Sequence, residues 1–472
     1  MGSDQLSDTY LHPGIELDPA DLDDLLAEEA AAQGVVGRSV ERKDARDKVL
    51  GRARYTDDLV PRNALWIKIM HASIAHGYVT AIDSAAALEI PGVVKVLTCF
   101  DVPERPFPTA GHPWSTDPGH QDVADRLLLN RHVRYYGDEI AVVVAETELA
   151  AKLGVAALEA SYEELPFALS PADALAEGAA LIQENYPGNV LAHTRLSVGD
   201  YERAITEPGL TKIEGTYDTG TVQHCHIENH ICFAEAEGDR ITVTTSTQIP
   251  HIVRRVVGQA LGVGWGKIRI IKPYIGGGFG NKQDVLYEPL CAWVCTQIGG
   301  RTVKLDVSRE ETFISNRVRH ALKITITSWV RPDGTFAARK YEAFSDQGGY
   351  ASHGHSIAAK GMNCFHEFYQ CRNVEGDAWT IYTNKPSSGA MRGYGIPQAM
   401  WAGECHIDDI CTRMGFDPLQ FRLQNIMEAG HVNHFNKNEN PDDSLRGTLI
   451  KLSLIHISEP TRRTPISYAV FC

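Results

Sequence analysis

Seven residues, Gly276-Gly277-Gly278-Phe279-Gly280-Asn281-Lys282, constrain this chain more than any other stretch. They follow a strand-like segment, Lys267-Ile268-Arg269-Ile270-Ile271-Lys272, and precede a helix-like one. Four glycines around one phenylalanine let a backbone come close to a ligand, because there is no Cβ to hold it away. A helix starting behind the loop would aim unpaired N–H groups at whatever sits there, which favours phosphate or an oxyanion. The run therefore reads as a seat for a large, partly anionic ligand. The competing reading is a tight strand-to-helix turn with no ligand, which rarely needs four glycines. Neither familiar phosphate motif fits. A dinucleotide fingerprint would need glycine at Asn281, and a P-loop needs Ser or Thr where Gln283 follows Lys282.

Two further loop-to-helix junctions flank this one. Ser246-Thr247-Gln248-Ile249-Pro250 leads into a predicted helix whose apolar positions are Val253, Val256, Val257, Ala260 and Leu261, the i, i+3, i+4 pattern. Pro250 suits its first turn, where a missing N–H costs nothing. Ser387-Ser388-Gly389-Ala390-Met391-Arg392-Gly393-Tyr394-Gly395-Ile396-Pro397 leads into another, through Met400, Cys405 and Ile410. The helix predicted after the glycine run starts or kinks at Pro289 and stops at Gly299-Gly300. If the three loops converge, they offer backbone donors, one amide (Gln248) and one guanidinium (Arg392).

The 472-residue length predicts about three domains, and a net charge of −15 argues against a nucleic-acid surface. Residues 1 to about 36 read as an acidic N-terminal extension with a short helix from Asp18 to Leu26, most simply a tether. Residues 37–170 read as a compact α/β unit. Its predicted strands are Ala64–Met70, Val93–Leu97 and Ile140–Ala145, the last followed by a helix from Glu148 to Tyr162. A second unit, 185–440, holds the three loops. No stretch is apolar and long enough to span a membrane, and the start lacks a basic or apolar signal region, so a cytoplasmic protein is expected. The ten cysteines include no C-x-x-C pair. Their spacing suits neither a zinc site nor an iron–sulfur cluster, and they read as mostly buried apolar residues.

Ser246-Thr247-Gln248, the Gly276–Lys282 loop and Ala390-Met391-Arg392-Gly393-Tyr394-Gly395 together resemble, in order and separation, the molybdenum-binding large subunit of the xanthine dehydrogenase family. Gly51-Arg52-Ala53-Arg54-Tyr55-Thr56-Asp57-Asp58 and Tyr136-Gly137-Asp138-Glu139-Ile140-Ala141-Val142-Val143 are similar to the family's hammerhead domain. The resemblance covers about residues 36 to 440 and is nearest to bacterial xanthine dehydrogenases whose molybdenum, flavin and iron–sulfur parts are separate chains. It implies a mixed α/β (α+β) fold, a hammerhead domain followed by the first molybdopterin-binding domain. It also implies a molybdenum hydroxylase oxidising a purine, hypoxanthine or xanthine, with water as oxygen donor. The cofactor implied is molybdopterin, with iron–sulfur and FAD centres on partner subunits, and the absence of clustered cysteines here agrees with that.

Site residues carry over by position. Gln248 matches the glutamine that hydrogen-bonds an oxygen ligand of molybdenum. Phe279 matches the residue whose backbone sits at the metal, with Gly278 and Gly280 shaping the approach. Arg392 matches the arginine beside the pterin. The metal is held through the pterin, with no direct protein ligand. Tyr394 stands where purine-oxidising relatives place a phenylalanine against the substrate ring. Gln283 stands where animal enzymes carry a glutamate, and Lys360 near a substrate-contacting arginine. The resemblance places a cysteine in this loop in carbon monoxide dehydrogenases; none occurs in Gly389–Arg392, which argues against that branch. Hydroxylation of another N-heterocycle or an aldehyde is the alternative.

The family's subunit continues well beyond this chain, through a second molybdopterin-binding domain and a catalytic glutamate in a Gly-x-Gly-Glu-type segment that this sequence lacks. Residues 451–472 match neither the family nor a natural element and read as translated adapter or vector DNA on a truncated chain. An inactive cofactor-binding fragment is then a further alternative. Three other signals are set aside. His224, His226, Glu228 and His230 would share one face of a strand and permit a metal, but read as polar packing near the funnel. His353-Gly354-His355 reads as hydrogen-bonded imidazoles, and Arg254-Arg255 as a solvated helix face.

Overall fold

The computed structural model describes residues 39–112, 121–433 and 437–453; the helix expected at Asp18–Leu26 and most of the 451–472 tail lie outside them. The longest apolar run of the first unit, Glu139–Ala145, is buried at every position. It lies between Leu65–His71 and Val93–Thr98 and pairs antiparallel with both. A strand covered on both faces can be continuously apolar, as Ile140-Ala141-Val142-Val143-Val144 is. Leu65–His71 pairs on its other edge, in parallel, with Val303–Asp306 of the second unit. One seven-stranded sheet therefore runs through both units, continuing to Ile231–Glu237, Arg240–Thr245 and Ile268–Ile271.

The helix Pro250–Leu261 buries Val253, Val256, Val257 and Ala260 in the core of this sheet, as the spacing predicted. Helix Glu288–Gln297 joins the same core through Leu290 and Val294. A five-stranded sheet, in the order Val190–Val198, Val374–Tyr382, Phe336–Gly348, Leu322–Val330 and Thr211–Asp218, forms the second layer. Helices Gly354–Phe365 and Ile396–Met414 pack on it through Ala358, Met362, Phe365, Ala399 and Ala402. Among the described residues no helix is long and apolar enough to cross a membrane. Seven of the nine described cysteines are buried.

Three expectations are corrected. The helix from Glu148 ends at Ala156, and Glu159–Glu164 is a strand paired antiparallel with Gly77–Asp83. The open edge of Gly77–Asp83 offers backbone partners that outweigh the local helix preference. Arg255 is buried rather than solvated, its Nη2 lying 3.5 Å from Asp122 Oδ2 and donating to the His112 carbonyl at 3.3 Å. No long helix starts directly behind the glycine run. A single 3-10 turn, Asn281–Gln283, is followed by extended Asp284, and the helix begins at Glu288. Asp284 is held in that conformation by its buried carboxylate, which accepts from Arg317 Nε at 2.5 Å and Ser352 Oγ at 2.7 Å.

Candidate active site

The three loops converge. The Gln248 N–H donates to the Lys282 carbonyl at 2.9 Å, and the Gly280 N–H donates to Gln248 Oε1 at 3.1 Å. The third loop docks when the Arg392 N–H donates to the Phe279 carbonyl at 2.9 Å. Two glycines make this contact possible. A Cβ on Gly278 would overlap the Gln248 side chain, and one on Gly280 would overlap the Ala390 carbonyl. Phe279 adopts φ +53° and leaves its ring 47% exposed, which is unusual for a phenylalanine in a tight loop. With Oε1 taken by Gly280, the Gln248 Nε2 hydrogens are the amide's free end. The Arg392 side chain is exposed, and the Arg392 carbonyl accepts from Arg319 Nη2 at 2.9 Å.

Beneath the glycine run lies a buried ionic clamp. Glu228 Oε2 accepts from the Gly276 N–H at 2.9 Å and from Lys282 Nζ at 2.7 Å. Burial pulls the Lys282 ammonium below its usual pKa, and the Glu228 carboxylate offsets part of that effect. The segment His224–His230 is not a strand; the neighbouring strand is Val222–Gln223, and Cys225 has φ +49°. Its histidines face different partners: His224 Nε2 the Ala390 carbonyl at 2.7 Å, His226 Nδ1 the Glu228 carbonyl at 2.6 Å, and His230 Nδ1 Asn316 Nδ2 at 2.7 Å. Packing, not a shared ligand face, accounts for them. Burial, with Lys282 adding to it, pushes His226 down to about 4.

Tyr394, at φ +53°, joins a second network. Its hydroxyl lies 2.8 Å from His353 Nδ1, 2.9 Å from Ser356 Oγ and 3.3 Å from His112 Nε2. Burial raises the phenol above its usual range, so it stays protonated. His353 Nε2 lies 3.1 Å from Asp284 Oδ1. Burial works against ionising Asp284, but Arg317, His353 and Ser352 hold its carboxyl below the usual carboxylate range. Gln283 ends the 3-10 turn, half-buried, its N–H donating to the Gly280 carbonyl at 3.0 Å. The structure thus brings together Gln248, Gly278, Phe279, Gly280, Gln283 and Arg392, with Tyr394 two residues on. Lys360 is exposed on helix Gly354–Phe365, one residue before Gly361, which packs against the Gly395 carbonyl of the third loop.

The sequence reading passed over Asp284, Arg317 and Tyr350. The available signal was charge in an apolar setting: Arg317 and Arg126 are among the largest fully buried side chains. The Tyr136–Val143 motif now has a structural cause. Gly137 at φ +107° passes the Ile314 carbonyl, and Asp138 accepts from Asn130 Nδ2 at 2.9 Å and Tyr350 OH at 2.7 Å.

The family model for the molybdopterin cofactor-binding domain matches residues 182–426. The chain belongs to that family. The model for the aldehyde oxidase and xanthine dehydrogenase a/b hammerhead domain matches residues 50–166. The xanthine dehydrogenase molybdenum-binding subunit of Escherichia coli O157:H7 is 46% identical over 393 residues, 83% of this chain and 52% of the relative. The chain spans about half the length of such relatives. The nicotinate dehydrogenase large molybdopterin subunit of Eubacterium barkeri is 31% identical over 84% of this chain, which covers 90% of that protein. Among solved structures, the aldehyde oxidoreductase from Desulfovibrio gigas superposes with a TM-score of 0.81 at 28% identity, over 89% of this chain and 47% of that one. Quinoline 2-oxidoreductase from Pseudomonas putida 86 gives 0.81 at 25%, over 93% and 56%. The hammerhead and molybdopterin-binding architecture read from the sequence is therefore present, and molybdopterin is the cofactor of this family's site.

The residues present fit that group. The amides of Gly278 and Phe279 make no hydrogen bond among the described residues. Gly278 lies against the Gln248 side chain, and Arg392, whose own N–H bonds the Phe279 carbonyl, carries an exposed guanidinium. Neutral donors next to one cation suit a ligand rich in anionic oxygens.

Proposed function

We propose that this chain is the molybdenum-binding part of a cytoplasmic hydroxylase that oxidises a purine, hypoxanthine or xanthine, with water as the oxygen donor. The carrying observation is the hydrogen bond from the Gly280 N–H to Gln248 Oε1, which locks two of the three loops and aims the amide's donors outward. The 46% identity to a xanthine dehydrogenase molybdenum-binding subunit supports the substrate class. Bound molybdopterin supplies the two-electron redox chemistry. The chain's own share is binding and orientation. Gln248 Nε2 would donate to oxygen on the bound cofactor, and the Gly278–Phe279–Gly280 backbone would border it. Arg392 neutralises anionic oxygen on the pterin. Tyr394 and Gln283 border the heterocycle, and Lys360 contacts it from helix Gly354–Phe365. Tyr394, held by three hydroxyl contacts, offers a fixed ring surface. Electrons leave to an iron–sulfur subunit and an FAD subunit.

The near full-length match to a nicotinate dehydrogenase subunit favours one second reading, a related hydroxylase acting on nicotinate-like rings. The test is assembly of this chain with the remainder of the large subunit and the two redox subunits. Steady-state turnover of hypoxanthine and xanthine is then compared with nicotinate and an aldehyde. Preferred turnover of a purine supports the first reading. Preferred turnover of nicotinate replaces it with the second.

A further inference from the structure

His112, Asp122 and His355 meet at the junction of the two units, in a cluster distinct from the glycine run. One ligand-type atom from each lies within 4.8 Å of the others. His112 Nδ1 lies 2.5 Å from Asp122 Oδ1, and the His112 and His355 ring centres are 5.2 Å apart. His355 Nδ1 is buried and has no hydrogen-bond partner. An imidazole nitrogen left that way inside a protein is costly and asks for an explanation.

We propose that these three side chains form a binding site for a divalent transition metal, which pins the hammerhead unit to the molybdopterin-binding unit. Two imidazoles and one carboxylate are a zinc-class donor set, and too poor in oxygen for calcium or magnesium. Zinc bonds of roughly 2.0–2.2 Å set two tetrahedral donors about 3.3 Å apart, so His112 and Asp122 give up their direct 2.5 Å contact for metal bonds while His355 draws in, a matter of side-chain torsions in partly exposed groups. The electrostatics sort the candidates in the same direction. Arg255 faces Asp122 at 3.5 Å and balances its charge, so the site attracts a metal through nitrogen ligation and not through excess negative charge.

The neighbouring His353 is not a fourth ligand. It is buried, its Nδ1 facing Tyr394 OH and its Nε2 lying 3.1 Å from Asp284 Oδ1 and 3.2 Å from the Gly111 N–H. The partner of His112 Nδ1, by contrast, is Asp122, itself a ligand in the proposed site; solvent is the remaining ligand. His112 and Asp122 belong to the first matched domain, 50–166, and His355 to the second, 182–426. A metal there closes a very long loop of chain, where a cross-link constrains the unfolded state most. It also sits one contact from the active-site loop, through His112 Nε2 and Tyr394 OH at 3.3 Å.

The test is titration of the purified, chelator-stripped 472-residue chain with zinc by calorimetry, and with cobalt by visible absorption. One zinc per chain is expected at about micromolar affinity or tighter, with a thermal midpoint that rises on addition. Asp122→Asn and His355→Ala each weaken binding at least tenfold, whereas His193→Ala, at the separate His193–Asp377 pair, leaves it unchanged. X-ray absorption on the wild-type chain gives two imidazoles and oxygen around zinc, a readout independent of how the variants fold. No saturable binding below about 100 µM, or binding that survives both variants, overturns the proposal.

Discussion

Glu228 and Lys282 form a buried ion pair at 2.7 Å, and the same Glu228 oxygen accepts the Gly276 N–H at 2.9 Å. One carboxylate therefore holds both ends of the glycine run. The run's own residues give it freedom; this pair removes it. The Lys282 side chain is fully buried, so its charge has no recourse to solvent.

Removing one partner of such a pair leaves the other charged and unpaired inside the protein. Glu228→Gln should destabilise the chain by about 3 kcal/mol, measured as the shift in urea unfolding. The double variant Glu228→Gln with Lys282→Met should cost clearly less than the two single changes added together. Additive losses would show that the two side chains act independently.

Gly280 combines a left-handed backbone, φ +102°, with a neighbour in the way: a Cβ there would come within 2.6 Å of the Ala390 oxygen. Gly299 has φ +73° and nothing within 4 Å. Gly299→Ala therefore reports backbone strain alone, about 1 kcal/mol. Gly280→Ala should cost about 2–4 kcal/mol and loosen the Arg392 loop, seen as faster amide exchange at Arg392. Equal costs would place the two loops no closer than ordinary packing.

His226 sets a pH dependence. It is held at about 4 in the fold by burial and by Lys282, against about 6.5 in the unfolded chain. A depressed histidine contributes stability fully present above pH 6.5, and that contribution is lost as the pH falls from about 6.5 toward 4. His226→Gln cannot take up that proton. Between pH 7 and 4.5 the wild-type chain should lose about 2 kcal/mol more than the variant, read from urea midpoints at each pH. Parallel curves would mean that His226 does not titrate in this window.

The parts of the site legible in the sequence are those fixed by backbone demands within a few residues. Four glycines around Phe279 reported a close approach of chains, and Pro250 and the valines behind it reported a helix face. The Gln248–Gly280 bond was accessible only as an implication of resemblance, because 32 residues separate its ends. What failed was decided by distant partners. Glu159–Glu164 became a strand because Gly77–Asp83 had an open edge, and Arg255 went inside because Asp122 was there to receive it. His224 to His230 showed the spacing of a strand face, but each imidazole answered to a different neighbour. Local pattern gives the element; long-range polar pairing gives its orientation.

Gln248 has two separable jobs, and substitution can divide them. Its Oε1 accepts the Gly280 N–H, and its Nε2 is the donor facing outward. Gln248→Ala removes both and should cost about 1 kcal/mol of stability. Gln248→Glu keeps an acceptor for Gly280 but replaces the outward donor with negative charge, next to where an anionic cofactor binds. In the assembled enzyme, Gln248→Glu should therefore match wild type in unfolding while its molybdenum content per chain, by elemental analysis, drops at least severalfold. Gln248→Ala should show both losses. If Gln248→Glu retains molybdenum at the wild-type level, the amide is a brace for the glycine loop and not a cofactor ligand.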